Sequence, residues 1–113
     1  MKTIFYSPER GDVVWLSLVP QSGRRRPGRL PAVVLSTQAY NSRVGLAVLC
    51  PITSQLTGYP FEVPVPPGLP MEGAILSDQA KSLDWHALRV ERICSLPAAV
   101  VEETLGKLRT LLE

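Results

Sequence analysis

Histidine occurs once in the 113 residues, at His86, and cysteine twice, at Cys50 and Cys94. One histidine and two distant cysteines cannot assemble a His/Cys metal set, and they make no disulfide framework. Both cysteines lie inside apolar segments and read as small buried hydrophobes. A Ser-His-Asp triad would have to be built on His86, which has no nucleophile motif beside it. No apolar run approaches the ~20 residues of a membrane span, and no signal peptide appears. The chain therefore reads as a cytoplasmic protein. GxGxxG and GxxxxGK[ST] elements are missing, as are internal repeats and low-complexity tails. No cofactor is expected.

What is present fits one domain over residues 1–113, with apolar residues at 45% and charged residues at 19%. A chain of this size buries roughly two-thirds of its unfolded surface, enough for a core without staples. Eleven prolines and eight glycines favour many turns over long helices. The net charge of +2 hides an asymmetry: Arg24, Arg25, Arg26 and Arg29 crowd into "RRRPGR". The other eight basic residues are outnumbered by ten acidic ones, leaving −2 for the rest. Local basicity of this kind suits a small anionic target.

Along the chain, "DVVWLSLV" (12–19), "PAVVLST" (31–37) and "LAVLCPIT" (46–53) read as strands. "QAYNSRVG" (38–45) reads as a short helical turn or loop ending at Gly45. In "PFEVPV" (60–65), Phe61, Val63 and Val65 alternate with Glu62 and the prolines, which predicts an edge strand or a bulge with Glu62 outward. "AILSDQAKSLD" (74–84) reads as a strand with a break near Ser77–Asp78. "WHALRVERICSL" reads as a helical turn leading into a strand. From Pro97 onwards, Val101, Leu105, Leu108 and Leu112 share one helical face, with Glu103 placed to pair with Lys107. Short strands closed by one helix predict a small, strongly bent sheet or barrel.

Four pieces, "GDVVWLSL" (11–18), "RLPAVVLS…YN" (29–36, 40–41), "CPITSQLTGYPFEV" (50–63) and "LSDQAKSLDW" (76–85), together resemble the MazF/PemK family of toxin endoribonucleases. The most specific part is the "GYPFEV" segment followed by "DQAKS". The resemblance implies a mainly β, SH3-like small barrel of the CcdB/MazF type with short helices and a C-terminal helix. It further implies a homodimer, metal-independent cleavage of single-stranded RNA at short sequences, and a cognate MazE-like antitoxin whose tail covers the groove.

Such cleavage needs the 2′-hydroxyl to attack the adjacent phosphorus. A cation and hydrogen-bond donors must then meet the charge on the non-bridging oxygens. The family's catalytic threonine falls on Thr53; a turn residue bonding its own backbone is the structural alternative. The family's arginine directly precedes the proline, where this chain has Leu30. Arg29 lies one place earlier, and a one-residue shift in a strand reverses the face. Arg29, re-aimed at the loop mouth, is the candidate catalytic cation; Arg26 reaching in from the loop, or impaired catalysis, are the alternatives. Arg24, Arg25 and Arg26 are candidates for flanking phosphates, or a solvated loop. Ser54, Gln55, Thr57, Tyr59, Asp78, Gln79 and Lys81 are candidate RNA contacts, Tyr59 by stacking. Trp15, Trp85 and Phe61 read as core or interface. Two rivals share the fold: a CcdB-like gyrase poison acting by protein binding, and a non-catalytic SH3-like nucleic-acid-binding module.

Overall fold

The computed structural model describes residues 6–17 and 28–113. Seven strands and two helices follow in the order β1 (Asp12–Ser17), β2 (Arg29–Val34), α1 (Gln38–Val44), β3 (Ala47–Thr53), β4 (Glu62–Pro64), β5 (Ala74–Leu76), β6 (Lys81–Leu83), β7 (Glu91–Ser95) and α2 (Ala98–Thr110). All pairings are antiparallel, along the path β4-β5-β3-β2-β1-β7 with β6 beside β3. The protein is thus mainly β with a closing C-terminal helix, as the sequence predicts. The bent sheet stays open among the described residues, since β4 and β7 end the path without pairing to each other.

Alternation along the strands makes two apolar layers. Val13, Val33, Cys50, Ile52, Val63 and Ile75 face α2 and bury Val101 of that helix. Val14, Leu16, Ala32, Val34, Ala47 and Leu49 face the other way, under Leu83, Trp85, Leu88 and Val90. The helix runs only to Thr110, so Leu112, expected on its apolar face, is 77% exposed.

β3 organises the sheet. One edge pairs with β2 through Ala32↔Pro51, Val33↔Cys50 and Val34↔Leu49. Its other edge changes partner along its length: Ala47, Val48 and Leu49 pair with β6, then Ile52 and Thr53 with β5. Pro51 falls between the two, where its missing N–H costs no bond on that edge. The break expected near Ser77–Asp78 is this passage from β5 to β6. β2 starts two residues earlier than expected, which puts Pro31 inside the strand. Pairing to β3 begins only at Ala32, so Pro31 still has an unpaired edge.

Two local devices brace the sheet. Asn41, fully buried on α1, donates from its amide to the carbonyls of Pro8 (2.9 Å) and Ser36 (3.1 Å) and accepts from the Ser36 hydroxyl. The Trp85 indole N–H donates to the Asn41 backbone carbonyl. Lys107 on α2 donates through Nζ to the carbonyls of Pro60 (2.8 Å) and Glu62 (3.0 Å), pinning the approach to β4.

Candidate active site

A groove of about 610 Å³ opens on the face of β3 away from α2. Leu49, Pro51 and Thr53 of β3 share that face by two-residue periodicity, and all three line the groove. Leu30 and Ala32 form the β2 side; Leu76, Gln79, Lys81 and Leu83 form the opposite side, with Leu16 and Leu88 completing it. The lining is thus mostly aliphatic, with an alcohol, an amide and an ammonium as its polar side chains.

Thr53 ends β3. Its hydroxyl oxygen accepts the Gln55 backbone N–H at 3.1 Å. This is the turn bond of the structural alternative, and it coexists with exposure to the groove. With that lone pair engaged, the hydroxyl proton is free to be donated to a ligand oxygen. Behind Thr53 stands Gly73, at φ +131°, packed against the Thr53 and Ser54 backbone.

The structure does not bring Arg29 to Thr53, and the sequence expectation is corrected on this point. Leu30 and Ala32 face the groove, so Arg29 points to the other side of β2. There its guanidinium donates to Glu91 at 2.7 Å and lies over Trp15, 5.0 Å from the ring centroid. No bulge interrupts the β1–β2 pairing, in which Ser17↔Arg29 continues directly from Leu16↔Leu30. Arg24, Arg25 and Arg26 lie outside the described residues.

The remaining candidates divide. Gln79 and Lys81 line the groove with Thr53. Lys81 pairs with Leu49, and directly paired residues share a face. Ser54 and Gln55 are exposed in the following loop. Tyr59, 45% exposed, donates its hydroxyl to Asp78 Oδ2 at 2.6 Å, and its ring sits 5.9 Å from Phe61. The hydrogen bond to Asp78, aided by burial and by the Asp78 charge, pushes the Tyr59 phenol up. Asp78 Oδ1 is buried without a hydrogen-bond partner among the described residues. Thr57 is exposed, but its hydroxyl is engaged, donating to Glu62 Oε2 at 2.9 Å.

Glu62 corrects the outward placement expected for it. It is only 9% exposed, and its carboxylate accepts backbone N–H groups of Thr57 and Gly58 as well as that hydroxyl. Burial pushes this carboxyl up. The hydrogen bonds from Thr57, Gly58 and Tyr59 outweigh it and leave the group below its ordinary value. Sequence reasoning missed this latch because an acid in an alternating strand reads as solvent-facing. The Gly73 support was visible only as a lone glycine before a strand, a mark of close backbone approach.

Fold and groove define a small β-sheet domain whose mostly aliphatic groove carries, among the described residues, an alcohol, an amide and one lysine. The family described as "PemK-like, MazF-like toxin of type II toxin-antitoxin system" matches residues 9–112. The endoribonuclease toxin MazF of Escherichia coli K12 is 44% identical over 82 residues, covering 73% of each chain. The endoribonuclease toxin ChpB of the same strain is 34% identical over 111 residues, covering 93% of this chain and 94% of that one. Among solved structures, a MazE-MazF crystal structure from Deinococcus radiodurans superposes with a TM-score of 0.91 at 47% identity, covering 96% and 97% of the two chains. The chain belongs to the PemK/MazF family of type II toxin–antitoxin toxins.

Proposed function

We propose that this toxin-family chain is an endoribonuclease that cleaves single-stranded RNA at short preferred sequences, in the groove over β3. The observation that carries the reading is the Thr53 hydroxyl, its acceptor side tied to Gln55 and its proton free, in one groove with Gln79 and Lys81. A 2′-oxygen attacks the adjacent phosphorus, forming an O2′–P bond and breaking the P–O5′ bond. The 2′-hydroxyl gives up its proton and the leaving 5′-oxygen gains one. The products carry a 2′,3′-cyclic phosphate and a 5′-hydroxyl. Thr53 donates to a non-bridging oxygen as charge gathers there. Gln79 contacts a neighbouring nucleotide, and Tyr59, held by Asp78, offers a ring face to a splayed base.

The protein partner is a cognate, MazE-like antitoxin, consistent with the MazE-MazF complex among the structural neighbours. The working form is a homodimer in the cytoplasm. No helix among the described residues is long and apolar enough to cross a membrane. Neither the gyrase poison nor the non-catalytic module finds support among the relatives, which are named as endoribonucleases.

The test is incubation of purified protein with a long single-stranded RNA in EDTA. Cyclic-phosphate ends, lost in Thr53→Ala with folding retained, are the expected result. Binding without cleavage would refute the enzyme reading, and loss of wild-type cleavage in EDTA would refute its metal independence.

A further inference from the structure

The groove has a mismatch between its two sides. On the β2 side, Leu30 and Ala32 present only hydrocarbon; on the other, Lys81 presents an ammonium. Arg29, the nearest described cation on β2, is on the reverse face and held by Glu91 and Trp15. Among the described residues no carboxylate forms an ion pair with Lys81.

We propose that Lys81 is the cation that meets the scissile phosphate opposite Thr53, and that β2 supplies this site with apolar wall alone. The inference rests on the RNA-cleavage reading above and names the charge that reading requires. The sheet geometry supports it. β2 and β6 flank β3 on opposite edges, each about 4.8 Å away. β6 lies beside Leu49 and β5 beside Thr53, so Lys81 stands four residues, about 13 Å, back along β3 from Thr53, and the two side chains line one groove. Lys81 shares the face of Leu49 and, two and four residues on, of Pro51 and Thr53. A lysine is a compact charge on a flexible four-carbon stem. It can follow a phosphate along that face without the fixed fork geometry of a guanidinium.

Five variants test the assignment: K81M, K81R, R29A, R26A and the double variant L30R/K81M. Each is compared with wild type for initial cleavage rate on saturating long single-stranded RNA in EDTA. Salt-dependent binding to an uncleavable, mixed-sequence 2′-O-methyl RNA oligonucleotide is measured in parallel. Circular dichroism checks folding. K81M is expected to lose on the order of 10²-fold in rate, the scale for removing one donor to developing charge. K81R retains most of the rate, R29A stays within about threefold of wild type by the same standard, and R26A, which removes a candidate flanking-phosphate contact, falls by less than K81M. L30R/K81M regains at least about tenfold over K81M, because residue 30 looks into the same groove. In binding, K81M makes the slope of log K against log salt shallower by about 0.7, one phosphate contact on a single strand. R29A leaves that slope unchanged.

The assignment is overturned if K81M cleaves like wild type, or if R29A or R26A falls as far as K81M. A protein that does not cleave at all refutes the reading of function, and the binding slopes then decide Lys81 on their own. A shift in R29A or R26A with none in K81M overturns the assignment.

Discussion

Gly73 is where fold and chemistry are most tightly joined, and replacing it with alanine should damage both. A Cβ on Gly73 would lie 2.9 Å from the Thr53 carbonyl carbon, closer still to its oxygen, and 3.2 Å from Ser54 Cα. Neither side can retreat cheaply. The neighbouring Ala74 is registered on Thr53 in the β3–β5 ladder, and the Gly73 carbonyl accepts the Val65 N–H at 2.9 Å. The backbone also stands at φ +131°, which L side chains rarely adopt. Conformational strain of about 1–3 kcal/mol and overpacking of about 1–3 kcal/mol together predict a loss of about 2–6 kcal/mol. That is a large part of a typical total of about 5–15 kcal/mol. Gly68 is the control: it too has positive φ, +94°, but open space where its Cβ would go. Urea unfolding should therefore show G73A less stable than G68A by about 1–3 kcal/mol, the overlap alone. At a temperature where both are folded, G73A should also lose at least about tenfold in RNA cleavage, because relief of the clash moves Thr53. Equal urea midpoints with unchanged cleavage in G73A would show that Gly73 does not hold Thr53 in place.

Three further expectations concern the surroundings. R29A should cost no more than about 1 kcal/mol in urea unfolding, because the Arg29 and Glu91 side chains are 51% and 70% exposed. Asn41→Leu removes the amide partner of two carbonyls, those of Pro8 and Ser36, and the acceptor of the Ser36 hydroxyl. A loss of roughly 2–4 kcal/mol is expected, read as a lower thermal midpoint. Glu62 is held below its ordinary value in the fold, so its latch is fully formed above the unfolded carboxyl value of about 4.3 and weakens as pH falls through the folded one. Amide exchange at Thr57 and Gly58, followed by NMR, should accelerate relative to other amides on acidification to below the ordinary carboxyl range. In E62Q it should lack that acid-dependent step.

Much of the framework was legible because it rests on periodicity and turn chemistry. The strand cores, the short helix ending at Gly45, the β5–β6 break and the terminal helix all follow from residue type and spacing, whereas Thr37, read as the end of a strand, caps that helix. Glu62 and Arg29 were not legible, for a shared reason. A side chain's face is set by register, and its role by what register places beside it. Arg29 sits near the end of its strand, where the sequence allows a bulge. Only the unbroken β1–β2 pairing, with Trp15 and Glu91 waiting on the far face, fixes its direction. Glu62 looks like a solvated acid until the loop before it folds back and offers its N–H groups.

The aliphatic lining of the groove bears on how one lysine can suffice. Two unit charges 4 Å apart interact by about 1 kcal/mol in bulk water and by about 4 kcal/mol at the effective dielectric of a protein surface. In the unliganded chain Lys81 is exposed, and water screens it. On the Lys81 proposal, an RNA strand laid over the part-exposed Leu30 and Pro51 displaces that water from surfaces that bind it weakly, with Ala32 and Leu49 already buried beneath. The ammonium and the Thr53 hydroxyl then act on the phosphate through a medium far less screening than solvent. Leu30 thus strengthens a charge it does not carry. An arginine at position 30 would add a second cation while making that side of the groove polar and wetter. The two arrangements trade number of charges against strength per charge. On the Lys81 proposal, the apolar side is an electrostatic component of the site.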